Sequence, residues 1–217
     1  MCAFIAIIGD IRNSRELELR KEIQDRLKKT LEEINIKYKK NIQSKFVITL
    51  GDEFQGLLLE GEKLLHVIQY IRMKLYPVEV RFGIGVGEIT TDINTEMALG
   101  ADGPAYYRAR DAIEIMKANE KKNRTVESDI RLENDNMNQK MLINTIFELI
   151  RVIEQNWTER QREIIWNLSQ YQDGQQKTAD RIGITQSAVH KALTKGNYYV
   201  YEKAMKNVEE VLGEIKI

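Results

Sequence analysis

Apolar and polar positions follow two periods along the chain. Ala3 to Ile8 is a short apolar run closed by Gly9-Asp10, too short for three helical turns, and is predicted as a buried strand. Ile23, Leu27, Leu31, Ile34 and Tyr38 then recur at spacings of four and three among Lys, Glu and Gln, which predicts an amphipathic helix ending near Asn41. Phe46 to Leu50 and Phe54 to Leu59 flank a Gly51-Asp52 turn and read as a hairpin. A second helix is expected from about Gly61 to Leu75, stopped by Pro77, and Val78 to Val86 alternates as a fourth strand.

The order βαββαβ is the ferredoxin-like unit of α+β proteins, with strands one and three adjacent at the centre of an antiparallel sheet and both helices on one face. Gly100 to Ala118 begins with turn residues and becomes helical, and Thr125 to Ile130 reads as one further strand. Asp129 to Gln139 is polar and unpatterned, which places a boundary there. Beyond it Leu142, Ile146, Leu149 and Ile153 mark one helical face, and the rest is helical. The expected division is an α+β domain over 1–132 and an all-α domain over 137–217.

The second domain carries its own signals. Thr158-Glu-Arg-Gln161 is a capping box, so a helix should start there, bury Ile164, Ile165 and Leu168, and stop near Asp173-Gly174. From Gln175 to Leu193 the spacing is that of a helix-turn-helix. Small Ala179 allows close approach, Gly183 takes the turn, Ile184 and Val189 seal the interface, and the second helix starts at Thr185 or Gln186. Gln186, Ser187, His190 and Lys191 are then the candidate DNA-reading residues: glutamine pairs with adenine, lysine with guanine or phosphate. Tyr201, Ala204, Val208, Val211 and Ile215 repeat at three-and-four spacing, either as a coiled-coil seam joining a homodimer or as the inner face of a last helix packed in its own domain.

In the first domain the topology brings Asp10, at the end of strand one, to the edge where the hairpin turns at Asp52 and Glu53. Converging carboxylates suit a hard cation such as Mg2+ or Mn2+, with a nucleoside triphosphate completing its shell. The same Gly-Asp pair also serves as an ordinary hairpin turn.

Ile8-Gly-Asp-Ile11, Thr49-Leu-Gly-Asp-Glu-Phe54 and Arg81-Phe-Gly-Ile-Gly-Val-Gly-Glu88 resemble the palm shared by class III nucleotide cyclases and GGDEF-type diguanylate cyclases. The resemblance implies Asp10 and Asp52 as metal ligands, the Ile11 carbonyl as a further ligand, and Glu53 and Arg110 on the nucleotide. It also implies two-metal chemistry at the attacking hydroxyl and the leaving diphosphate. Thr49 stands where class III cyclases place a base-selecting lysine, Tyr106 where they place a transition-state asparagine, and Leu50 replaces the first glycine of the other family's motif. The module around Gly183 resembles the DNA-binding helix-turn-helix of sigma factors and response regulators. Asp102-Gly-Pro-Ala105 with Ala109-Arg110, the hairpin and the helical half together resemble the SatD family over essentially the whole chain.

Charge and composition refine this picture. Of 217 residues, 33 are Lys or Arg and 33 are Asp or Glu, so net charge is zero and any charged partner must meet a local patch. Such a patch exists: no acid lies between Ile182 and Tyr201, where His190, Lys191 and Lys195 fall. Cys2 is the lone cysteine and forms no internal disulfide, and Cys2 to Ile8 lacks a basic leader and the length to span a bilayer. A cytoplasmic location without membrane contact is therefore expected.

Three functions stay open at this point. The first is a DNA-binding transcriptional regulator whose degenerate palm binds a metal-nucleotide. The second is an active nucleotidyl cyclase or related phosphoryl-transfer enzyme, and the third an assembly protein.

Overall fold

A computed structural model describes residues 3–14, 19–122 and 128–215. Cys2 lies outside them. Strands β1 (Phe4–Ile11), β2 (Ile42–Leu50), β3 (Glu53–Leu58), β4 (Val80–Gly87) and β5 (Ile130–Glu133) form one mixed sheet in the order β2-β3-β1-β4-β5. β1 is antiparallel to both β3 and β4, as the βαββαβ reading requires, and β5 adds a parallel edge beside β4.

The unbroken apolar run in β1 follows from burial on both faces. Successive side chains alternate, so Ile5 and Ile7 face one core while Ala6 and Ile8 face another. On the first face lie α1 (Arg20–Lys37) and α2 (Leu64–Leu75), whose buried positions keep helical spacing. On the second lies α3 (Pro104–Glu120), through Ala105, Tyr106, Ala109, Ile113 and Met116. The glycines of β4 explain its close seat: a Cβ at Gly85 meets the Ala105 carbonyl oxygen at 2.0 Å, and one at Gly83 meets that of Ala109 at 2.1 Å. Bare strand backbone lets the helix settle onto the sheet.

After β5 the described chain is helical: α4 (Met137–Gln155), α5 (Glu159–Tyr171), α6 (Gln175–Ile182), α7 (Gln186–Lys195) and α8 (Tyr198–Gly213). The Thr158–Gln161 capping box forms as expected and opens α5. A separate core gathers Ile150, Trp157, Ile164, Ile165, Ala179, Val189, Leu193, Tyr198 and Tyr201. The indole of Trp157 fastens it by donating to the Gly196 carbonyl at 2.6 Å. The sheet core also reaches into these helices, since Ile143 and Phe147 of α4 and Val208 and Leu212 of α8 are part of it.

Several expectations need correction. The fifth strand is Ile130–Glu133 rather than Thr125 to Ile130, and residues 125–127 lie outside the described set. The polar stretch from Asp129 to Gln139 is not featureless: Ile130 and Leu132 are buried in the sheet, and Asp129 is buried among arginines. Charge density hid a four-residue strand. In α4, Leu142 and Leu149 point outward while Ile143, Phe147 and Ile150 are buried, because large apolar residues stand on the outer face as well as the inner one and mark two stripes. Of the two readings of the repeat in α8, packing within its own chain is the one found: Tyr201 and Val208 are buried, and Val211 and Ile215 lie against the sheet core. The first helix ends at Lys37, with Tyr38 as its cap, and β2 starts at Ile42 rather than Phe46. Among the described residues no helix is long and apolar enough to cross a membrane.

Candidate functional site

Two places hold the polar residues singled out above. At the sheet edge, Asp10 of β1 pairs in register with Glu53 of β3, and the Ile11 amide donates to the Asp52 carbonyl at 3.1 Å, so the expected acids do meet. Their side chains are already partnered. Arg81, opposite Asp10 on β4, donates Nη1 to Asp10 Oδ2 at 2.5 Å, and Lys117 Nζ of α3 lies 3.2 Å from Oδ1. Ser14 donates its hydroxyl to Asp52. Glu53 lies 3.9 Å from Lys117 and 3.8 Å from the exposed Arg110.

Among the described residues, no three His, Cys, Asp or Glu side chains gather to hold a metal ion. An ion placed between Asp10 and Asp52 meets one carboxylate already neutralised by Arg81 and Lys117 and another held by the Ser14 hydroxyl, and it must displace Lys117 and Ser14 to bind. As arranged, these residues do not fit a divalent cation.

The edge continues inward as a chain of ion pairs. Arg81 holds Glu120 at 2.6 Å, Glu120 holds Arg12 at 3.0 Å, and Arg12 holds Asp129 at 2.9 Å. Asp129 also takes Arg151 at 2.8 Å and Arg72 at 3.4 Å, and Arg72 reaches Glu154 of α4 at 2.5 Å. Burial raises the Asp129 carboxyl above its ordinary value even though three guanidiniums pull it down. Burial opposes the charge on Arg72 too, but Glu154 and Asp129 outweigh it and hold the guanidinium firmly protonated. Lys117 and Asp129 carry no recognisable motif, and the palm-like segment that begins at Arg81 assigns that arginine no role. A signal for Arg81 existed only in the sheet register that sets it opposite Asp10.

The second place is α7. Gly183 takes the left-handed conformation at φ +73°, which ends α6 and turns the chain within three residues. Thr185 caps α7, its hydroxyl accepting from the Ala188 amide at 3.2 Å. Val189 and Leu193 bury one side, and Gln186, Ser187, His190 and Lys191 are exposed together on the other, with Thr194 and Lys195 beyond. No side-chain hydrogen bond or ion pair joins Gln186, Ser187, Lys191 or Lys195 to another described residue. One neighbour escaped sequence reading. The half-exposed Tyr199 of α8 accepts from Gln175 Nε2 at 3.0 Å and lies 3.4 Å from His190 Nδ1, bracing the end of this surface. By contrast Arg181 is spent on Asp173, both contacts 2.9 Å, and stacks on Tyr171.

The sequence pattern that defines the SatD family matches residues 4–212. Among solved structures the chain is similar to the catalytic core of a rhodopsin-guanylyl cyclase with converted specificity in complex with ATPalphaS. Identity is 17%, with 50% of this chain and 70% of that one covered and a TM-score of 0.36. It is similar to the guanylyl cyclase Cya2 at 14% identity, covering 50% and 68%, with a TM-score of 0.35. It is also similar to the Regulator of Polyketide Synthase Expression from Bifidobacterium adolescentis at 12% identity, covering 96% and 80%, with a TM-score of 0.31. Likenesses this low carry no functional weight. No curated protein matches the chain.

Proposed function

The chain belongs to the SatD family, and from that premise we propose that it is a DNA-binding transcriptional regulator that lays α7 in the major groove, with the palm-like sheet domain as a non-catalytic body. The observation that carries this reading is the α7 surface. Four side chains able to contact base edges or phosphate are exposed on one side of a capped helix, and no acid lies from Gly183 to Val200. A helix surface meant only for water has no reason to exclude acids over eighteen residues of a chain with equal numbers of acids and bases.

Mobility shifts on genomic fragments test it. The full chain is expected to retain a subset of fragments over bulk DNA, Gln186→Ala to blur that preference, and Lys191→Ala to weaken all fragments alike. Binding no tighter than to random DNA removes the proposal.

A second reading, a metal-nucleotide held at the sheet edge with phosphoryl transfer as its chemistry, is favoured by one observation: Asp10 pairs in register with Glu53 there, and the backbone of Asp52 bonds to that of Ile11 on the same edge. It requires Arg81 and Lys117 to release Asp10. Thermal melting with Mn2+ and a nucleotide panel separates the two, since this second reading calls for a stabilisation that Asp10→Asn abolishes.

A further inference from the structure

Two surface helices of this molecule treat water differently. On α1, eight of the nine outward positions from Arg20 to Lys37 are charged, the ninth being Ile36. On α4, the outward positions from Met137 to Gln155 are Met137, Asn138, Met141, Leu142, Thr145, Glu148, Leu149, Val152 and Gln155, with a single charge. Met137 is 66% exposed, Met141 57%, Leu142 60%, Leu149 61% and Val152 44%. The cations flanking this face are turned away from it: Lys140 holds Glu133 at 2.7 Å, and Arg151 holds Glu79 and Asp129. The Thr145 hydroxyl, at the middle of the stripe, donates to the Met141 carbonyl at 2.9 Å, so its proton needs no solvent.

We infer that this face of α4 pairs with α4 of a second copy of the chain, antiparallel, across a two-fold axis at Thr145. The stripe is self-complementary about that residue, as an isologous contact requires. Antiparallel pairing about Thr145 sets Met141 against Leu149 of the other copy and the reverse, with Val152 opposite Asn138 at each end. From Met137 to Val152 the contact runs about 22 Å at the α-helical rise. Five side chains each offering roughly 100 Å² give about 1,000 Å² over both copies, which reaches the threshold of a specific interface. Glu148, exposed at the flank of the seam, falls opposite Leu142 and not opposite its own copy, so the two carboxylates do not face each other. The pairing stands on α4 alone and is independent of DNA binding, but it also presents two α7 helices by symmetry.

Sedimentation of the full chain tests the inference. The wild type is expected to show twice the chain mass at tens of micromolar, and Met141→Glu with Leu149→Glu to show the single mass with an unchanged far-ultraviolet circular-dichroism spectrum. Two helices packed about 8–10 Å apart bring facing Cα atoms within the roughly 4–7 Å that a disulfide spans. Thr145→Cys in a Cys2→Ser background should therefore cross-link under mild oxidation, and Lys28→Cys on α1 should not. A wild type that stays monomeric at about 200 µM overturns the self-pairing and leaves the face to a different protein. A dimer that survives the double substitution, or a Thr145→Cys chain that does not cross-link while dimeric, places the contact elsewhere and overturns it equally.

Discussion

The sheet edge and the outer side of α7 hold similar numbers of polar groups but use them in opposite ways. At the edge Asp10, Glu53, Arg81 and Lys117 are satisfied by one another and Asp52 by Ser14, and the chain of pairs runs inward to Asp129 and on to α4. On α7, Gln186, Ser187 and Lys191 face solvent with no partner among the described residues. Residues that chemistry-based reading ranks alike thus differ in availability. Under the proposed function, binding falls to the polar groups left free, while the paired ones hold the structure.

That contrast can be attacked from its strongest point downward. Asp129→Ala removes the buried anion shared by Arg12, Arg72 and Arg151, and breaking such a cluster is expected to cost about 3–5 kcal/mol in urea denaturation. A cost below about 1 kcal/mol would mean that the ion chain is incidental. Asp10→Asn deprives Arg81 and Lys117 of a buried partner while Arg81 keeps Glu120, so a loss of about 1–3 kcal/mol is expected. A metal-holding edge makes the opposite demand: without metal, neutralising one of its acids relieves repulsion and raises the melting temperature.

The acid limb of stability is a gentler probe of the same pairs. Burial acts to raise the Glu79 and Glu120 carboxyls, but Arg151 and Arg12 beside the first, and Arg81 and Arg12 beside the second, outweigh it and hold both below 4.5. Their contribution is therefore full above that value and is lost as pH falls through the lowered ones. Asp129 has the opposite sign: the folded chain takes up its proton before the unfolded chain does, which offsets part of the loss. Glu120→Gln is expected to make denaturation midpoints fall less steeply below about pH 4.5, and an unchanged slope would detach Glu120 from the network. Smallest of all, Lys191→Ala should leave stability within about 0.5 kcal/mol while lowering DNA affinity several-fold in an anisotropy titration.

Much of the sheet domain was legible because strand and helix periods alternate cleanly from Ala3 to Val86, and turn residues such as Gly51 sit between them. The order βαββαβ and the meeting of Asp10 with Glu53 follow from that. The third helix was seen, but its seat on the opposite face was not, because a glycine-lined strand reads as weak rather than as a docking groove. In α4 two apolar stripes, one inner and one outer, concealed which face is inside. The acids of the candidate metal edge were visible and the cations that neutralise them were not, since Arg81 and Lys117 reach Asp10 only through tertiary contact. Asp129, read as part of a linker, is the hub of that network for the same reason.

The most direct measurement is the salt dependence of DNA binding for the wild type and for Lys191→Ala with Lys195→Ala. If α7 is the surface that meets the phosphates, removing the two lysines should reduce the slope of log K against log salt by about 2, while Asp10→Asn leaves it unchanged. An identical slope in the double variant, or binding that none of these residues affects, would contradict the assignment of α7 as the DNA-facing surface.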